Sequence, residues 1–519
     1  MLVRTLFATC LLLCAMAESA WSSNDMRAEV SCSVLLDALV AKVEANYPGY
    51  HIEVRGTPRE QAYRQHVSTT AAKAGALDDG LDCVRLLQAY VGWFEDGHLF
   101  VSRGAVSLSP DDSAGLRDAA PRVGWREADM LSYFNDTARL DPIEGIWVDP
   151  SGLRLAIARS DRAGHASGAT SFLGVVLNSS LPAWKTGDVK AEFERLPDGS
   201  YDAVMYDDAR VATHPNVPVR GAAGGARLQR EGLLLHMAPV TWGRLHPVRP
   251  GIEGHIDPLN PRAPTARIAG DNTVVFHIPS HVPSHAARLH LLVDQFRGAL
   301  ARADNLIIDL RGNEGGSSTV TRVLMPFLVT AERRPARYLG DGSSAVLASE
   351  DNAKAFAGMN WVPAGLAARV RDAEPGSLVP FADPQTDARQ SQAARVPDGD
   401  APSARAVLPR PRNVAILMDS MTVSAAEAFI LEAMRYEKVT LFGQPSGGAI
   451  DYQSVNMVRF GPRESGLLVG YPTIIGSDML PRGAVRPTGI VPDVALDPAD
   501  PDPVLRIVEY YGRGGGAGE

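Results

Sequence analysis

The segment Met421-Thr422-Val423-Ser424-Ala425-Ala426-Glu427 sets a serine at the start of a helix, just after the apolar run Val414 to Met418. A hydroxyl in that place can act as a nucleophile. The amides that follow it, that of Ala425 first, stabilise negative charge at the helix N-terminus. The same letters have a structural meaning, because Ser-x-x-Glu is a capping box in which Ser424 and Glu427 satisfy each other's free N–H groups. The two meanings are compatible. A second segment, Asp309-Leu310-Arg311-Gly312-Asn313-Glu314-Gly315-Gly316, ends the buried run Leu306 to Leu310 and turns through glycines toward a helix that Ser317 or Ser318 can cap. The amides of Gly315 or Gly316 can supply the other half of an oxyanion hole. The alternative is a tight strand-to-helix turn that needs glycine for its backbone angles.

Other constellations are weaker. His277, His281, His285 and His290 cluster in sequence, but Pro279 and Pro283 interrupt any helix that would face them together, so no metal site is expected. H-E-x-x-H, G-x-S-x-G and G-x-x-x-x-G-K-[ST] do not occur, which disfavours a zincin, a standard α/β-hydrolase and a phosphate loop. No cofactor is implied.

The elements that must position these residues change character along the chain. Residues 25–103 read as a helical domain: Leu87, Tyr90, Val91 and Phe94 share one helix face, and the segment ends at Asp96-Gly97-His98. A polar linker follows. Within 135–245 the period becomes two, as in Leu153, Leu155 and Ile157, which predicts an all-β domain, a sandwich or partial barrel. Residues 266–505 read as an α/β core. Its strands are Thr273–Ile278, Leu306–Leu310, Val414–Met418 and Val439–Phe442, with amphipathic helices between them. One of these helices is marked by Val320, Val323, Leu324, Phe327 and Leu328. Residues 336–405 break the rhythm as an insertion, and 506–519 read as a frayed, Gly-rich tail.

Across 519 residues, 45% hydrophobic and 21% charged, the composition is that of a globular chain of several domains. A net charge of −9 argues against a nucleic-acid partner or an anionic membrane surface, either of which needs a basic face. Residues 1–20 read as a signal peptide: Arg4 is the positive end, Leu6 to Met16 the short apolar region and Ala15-Met16-Ala17 a cleavage site. The protein is therefore expected to be exported, periplasmic or extracellular, with no membrane span after signal removal. Beyond the signal two cysteines remain, Cys32 and Cys83; they form a disulfide or stay as two buried thiols.

Four pieces in order, DLRGNEGG (309–316), TVSAAEAF (422–429), Gly443-Gln444-Pro445-Ser446-Gly447-Gly448-Ala449 and Gly489-Ile490-Val491-Pro492-Asp493, resemble the core of the S41 serine peptidases, the tail-specific protease and tricorn-core family. The resemblance spans residues 270–495. It implies an α/β crotonase-like (ClpP/crotonase) core of ββα units, and Ser424 as nucleophile. One branch of that family pairs its serine with a lysine in a T-x-G-K loop. The matching Ser446-Gly447-Gly448-Ala449 has none, and Lys438 stands at the far end of the helix, roughly 20 Å away at 1.5 Å per residue. The other branch draws a histidine from the N-terminal helical region in a D-G-H-T motif, which Asp96-Gly97-His98 resembles, with Leu99 in place of the threonine.

The resemblance thus implies peptide-bond hydrolysis through an acyl-enzyme on Ser424, His98 as general base, and Gly315, Gly316 and Ala425 around the oxyanion. In the family a glutamate as E-G-x-G often orients the histidine. Here the stretch is Val485-Arg486-Pro487-Thr488-Gly489, and Asp478 and Asp451 are the substitute candidates. No loop of the PDZ carboxylate-clamp type is present. Export argues against the acyl-CoA chemistry that a crotonase-like fold also hosts. The alternative function is a degenerate scaffold of this family that binds peptides or small ligands without cutting. The expected partner of the enzyme is a peptide or protein; oligomeric state is left open.

Overall fold

The computed structural model describes residues 31–514 except 79, 105–109, 136–139, 164–169, 216–224, 230–231, 239, 248–256, 335–343, 360, 383–406, 463–464, 477–484 and 486–487. The expected signal peptide, residues 1–20, and Asp478 and Arg486 lie outside the described residues. No described helix is long and apolar enough to cross a membrane.

The core is a six-stranded sheet in the order Thr265–Ala269, Thr273–His277, Asn305–Asp309, Asn413–Met418, Val439–Gly443, Val494–Ala495. The first two strands form an antiparallel hairpin, and every later neighbour is parallel. Parallel strands are covered on both faces, which explains the unbroken runs Leu306-Ile307-Ile308 and Val414-Ala415-Ile416, all 0% exposed. The helices Ala286–Leu300 and Ala425–Ala433 cover one face. The register sets Asp309 beside Leu417 and Leu417 beside Phe442, so the carboxyl ends of three strands finish along one edge. Ligands bind outside such an edge in open α/β sheets.

Two expectations are corrected here. The amphipathic helix expected around Val320–Leu328 is a 3-10 helix, Val320–Phe327, with Pro326 inside it. That proline has no N–H to give and its ring crowds the preceding turn, so an α-helix cannot pass through. The expected frayed tail is helical from Pro503 to Gly512. Asp502 caps it through Leu505 N at 2.9 Å, and Val504 and Ile507 pack on Leu417 and Phe442 of the sheet's other face.

The β region is one nine-stranded antiparallel sheet that runs Ala212–Thr213, Tyr201–Tyr206, Val189–Arg195, Ser171–Asn178, Arg154–Arg159, Gly145–Val148, Val240–His246, Leu234–Met237, Arg227–Gln229. It curls until its two ends meet: Tyr201 and Ala226 exchange both backbone hydrogen bonds, at 3.1 and 3.0 Å. This partial barrel closes over Trp147, Phe172, Phe193 and Trp242.

The N-terminal helices Cys32–Asn46, Glu60–Ala74 and Leu81–Gly92 do not own a private core. Their buried face (Leu36, Leu39, Val43, Leu87, Tyr90) joins Tyr452, Leu467, Val469, Tyr471 and Ile475 in one cluster. The strand Phe100–Arg103 then pairs antiparallel with Leu467–Ile475, setting Phe100 opposite Gly470. Only glycine fits there, since an added Cβ would sit 2.4 Å from the Phe100 ring. The same five-stranded sheet takes in Ala345–Leu347 and Leu378–Pro380 from the insertion.

Cys32 and Cys83 are bonded to each other with Cα atoms 5.6 Å apart, and the bridge closes 51 residues of the helical region. Chain entropy assigns such a loop roughly 4 kcal/mol of stability. Cys32→Ser with Cys83→Ser should therefore lower the urea midpoint of the full chain by a corresponding amount. An unchanged midpoint would show that the bridge constrains nothing.

Candidate active site

The two glycine- and serine-bearing loops leave adjacent parallel strands and are bound into one unit. Val423 N donates to Asn313 O at 3.0 Å, and Thr422 Oγ1 donates to Leu310 O at 3.1 Å. Asp419 Oδ1 accepts from Gly312 N at 3.0 Å and from Met421 N at 3.0 Å. Burial raises the Asp419 carboxyl above its ordinary value, and these donors with Arg311 oppose the rise. Gly315 lies so close to the serine that an added Cβ would stand 2.7 Å from Ser424 Cβ and 3.0 Å from Ala425 N.

Ser424 is half-buried, with φ 58° and ψ −120°. An L-residue rarely enters this region, and holding one there costs on the order of 1–3 kcal/mol. A serine on a sharp strand-to-helix turn is the arrangement of a nucleophile elbow, which lifts the hydroxyl out of the turn. Of the expected capping interaction, Glu427 Oε2 accepts from Ser424 N at 2.9 Å.

Glu427 does more than cap. Its side chain is 0% exposed and also accepts from Ser446 Oγ at 2.5 Å, Gly448 N at 2.8 Å and Ala449 N at 2.9 Å. Four donors match the acceptor sites of an ionised carboxylate. Burial pushes the group up to about 7, and the hydrogen bonds from Ser446, Ser424, Gly448 and Ala449 work against that rise. Ser446 Oγ in turn accepts from Ile490 N at 2.8 Å, so the 446–449 loop and the 489–493 segment are both tied to the helix of the serine. Sequence reasoning named Glu427 only as a cap. The signal it missed is that a buried carboxylate needs more than one donor.

The expected oxyanion donors divide. Gly315 N donates to Asn313 Oδ1 at 2.9 Å, so this amide is committed to the loop and the expectation for it is corrected. Asn313 is fully buried; its Nδ2 donates to Ile278 O at 2.7 Å, and its Oδ1 takes the Nδ1 proton of His281 at 3.0 Å. Among the described residues the amides of Gly316 and Ala425 have no hydrogen-bond acceptor. Gly316 is exposed, at φ 134°, and a Cβ there would meet His281 O at 2.4 Å. His281 thus shapes the loop: its pKa is lowered by burial, and no group of metal-ligating residues is found among the described ones.

His98 is half-buried at the end of the helical region. Its own N–H is held by Asp96 Oδ1 at 2.9 Å, and Asp96 Oδ2 accepts from Tyr47 OH at 2.8 Å. Its ring is set by the α/β part of the chain: Nδ1 lies 2.6 Å from Tyr452 O. A carbonyl only accepts, so in the neutral ring the proton sits on Nδ1 and Nε2 keeps its lone pair, as a general base requires. The expected orienting carboxylate is replaced at Nδ1 by a main-chain oxygen. Asp451, buried and one residue before Tyr452, anchors that backbone by accepting from Gly476 N at 2.8 Å. Tyr452 OH donates to Glu53 Oε1 at 2.7 Å. Lys438 stands at the opposite end of the sheet, where its carbonyl accepts from Val414 N and its Nζ from the ammonium donates to Pro411 O at 3.4 Å.

Residues 272–496 match the family model described as Peptidase family S41. Over this segment, less than half of its length, the chain is similar to that family of serine peptidases. No curated protein matches the sequence. Among solved structures, mature CPAF complexed with lactacystin is 14% identical, with 93% of this chain and 98% of that chain covered at a TM-score of 0.39. A putative peptidase from Parabacteroides merdae is 12% identical, with 93% and 96% covered at 0.36. The photosystem II D1 C-terminal processing protease is 14% identical, with 92% and 97% covered at 0.31.

The backbone at Ser424 gives a stability test. Ser424→Gly should relieve the positive-φ strain and raise the free energy of unfolding in urea by about 1 kcal/mol while removing the hydroxyl. A loss of stability in this variant would mean that the turn is unstrained.

Proposed function

We propose that the chain is an exported serine peptidase that hydrolyses peptide bonds through an acyl-enzyme on Ser424, with His98 as general base. The observation that carries this reading is the serine at φ 58°, packed on Gly315 and followed by the Ala425 amide, which has no acceptor among the described residues.

The chemistry follows from the groups. Nε2 of His98 takes the hydroxyl proton as Ser424 Oγ attacks the scissile carbonyl carbon. The carbonyl oxygen becomes an oxyanion held by Ala425 N and Gly316 N. The same imidazole gives its proton to the leaving amine, and the carbon–nitrogen bond breaks. Water, deprotonated by His98 in turn, then releases the acid and restores Ser424.

The ββα order of Thr265–Ala269, Thr273–His277 and Ala286–Leu300 supports a crotonase-like reading of the core. Export is supported by the Cys32–Cys83 bridge, because disulfides persist in oxidising compartments. The substrate class is a peptide or protein.

Steady-state kinetics on a casein-derived peptide substrate test the roles. Ser424→Ala should leave only residual turnover. His98→Ala should lower kcat/KM by about 10²- to 10⁴-fold. Lys438→Ala should match the parent. Loss of chemistry in folded Lys438→Ala, with His98→Ala unaffected, would transfer the role of base to the lysine.

A further inference from the structure

Glu314 immediately precedes the two glycines of the oxyanion loop, and the chemistry above does not use it. Its side chain is 16% exposed and pairs with His236 Nε2 at 2.7 Å and Arg262 Nη1 at 3.2 Å. His236 belongs to the strand Leu234–Met237 of the partial barrel, more than seventy residues earlier in the chain. Its side chain is 2% exposed, and Nδ1 lies 3.2 Å from Thr241 Oγ1 on the paired strand. Nε2 is the ring nitrogen next to the carboxylate, a close approach without an aligned hydrogen bond.

A second contact lies two residues away. An added Cβ at Gly312 would stand 2.6 Å from Gln229 Oε1, so the barrel strand Arg227–Gln229 closes on the same loop. The loop is therefore gripped from two sides. The core holds it at Asn313 and Gly315, and the barrel holds it at Gly312 and Glu314. Beside these contacts barrel and core part around a cleft of about 670 Å³, between Gln229 and Gly232 on one wall and Arg311 and Gln444 on the other. The grip on the loop is thus local rather than one part of a broad flush interface.

Burial alone would raise the Glu314 carboxyl. The nearby His236 and Arg262 outweigh it and hold the group below its ordinary value. An unpaired carboxylate next to amides that must hold an oxyanion would oppose them. Arg262 supplies the opposing charge, and His236 holds the carboxylate from the barrel side.

We propose that the partial barrel is a positioning domain for the oxyanion loop: His236, with Arg262, acts through Glu314 to fix the amide of Gly316 beside Ser424. This rests on the peptidase reading above. Glu314, His236 and Arg262 are positioning residues, since none of them reaches the reacting atoms. Misplacing a catalytic donor by an ångström lowers rate by up to about a hundredfold while leaving binding largely alone.

The test uses the full chain and two readouts, hydrogen exchange across residues 311–319 and steady-state kinetics. In His236→Phe the exchange of this loop should quicken, with the rest of the core unchanged. Its kcat should fall about ten- to a hundredfold with KM near the parent's. Adding Glu314→Gln, which removes the stranded charge, should restore part of kcat. Should His236→Phe loosen the whole barrel, Arg262→Gln supplies the same comparison from outside it. Parent-like loop exchange in both His236→Phe and Arg262→Gln overturns the proposal, whether or not the parent cuts peptides. A parent without turnover, but with quickened loop exchange in the variants, sinks the peptidase reading and keeps the clamp.

Discussion

The site depends on one buried carboxylate. Glu427 takes the Ser424 amide on one side and Ser446, Gly448 and Ala449 on the other, with no exposure to water. Stripping a carboxylate of water is costly unless donors replace it, and here four do. The same bonds fix geometry. They hold the turn that strains Ser424, and they hold the loop that runs through Ile450 and Asp451 to Tyr452, whose carbonyl orients His98. Ser424 and His98 come from segments far apart in the chain, yet both are tied through this one side chain. The closing Gly489-Ile490 segment is drawn in by Ser446, and its glycine is required because a Cβ would meet Ser446 O at 2.0 Å.

Around this centre the protein is three bodies sharing surfaces. The N-terminal helices bury their apolar face against Leu467–Ile475, so the segment that carries His98 is built into the α/β part rather than appended to it. The barrel meets the core at the loop after Asp309. Both accessory regions thus bear on the edge where the parallel strands end, the edge at which this class of sheet places its ligands.

Much of this was legible in the letters. Buried parallel strands write themselves as apolar runs, and the turns with Gly or Ser after them mark their carboxyl ends; the structure sets Gly315 against Ser424 and Ala425. The failures have local causes. Pro326 turned an apparent α-helix into a 3-10 helix. The Asp502-Pro503 start signal of the last helix was overlooked beside the glycines that follow it. The commitment of Gly315 N to Asn313, the four-donor shell of Glu427 and the hold of Tyr452 O on His98 are contacts between distant segments. Composition and period cannot write those. The sequence suggests a side-chain carboxylate for the histidine, whereas the ring's Nδ1 is served by the backbone.

The central claim is that Ser424 is a nucleophile activated in this setting, and covalent trapping tests it most directly. The folded full chain would be treated with a fluorophosphonate and the adduct located by peptide mass spectrometry. The account predicts one adduct, on Ser424, formed much more slowly when His98 is replaced by alanine. An intact, folded protein that takes up no label at Ser424, or that labels at another serine, would contradict it.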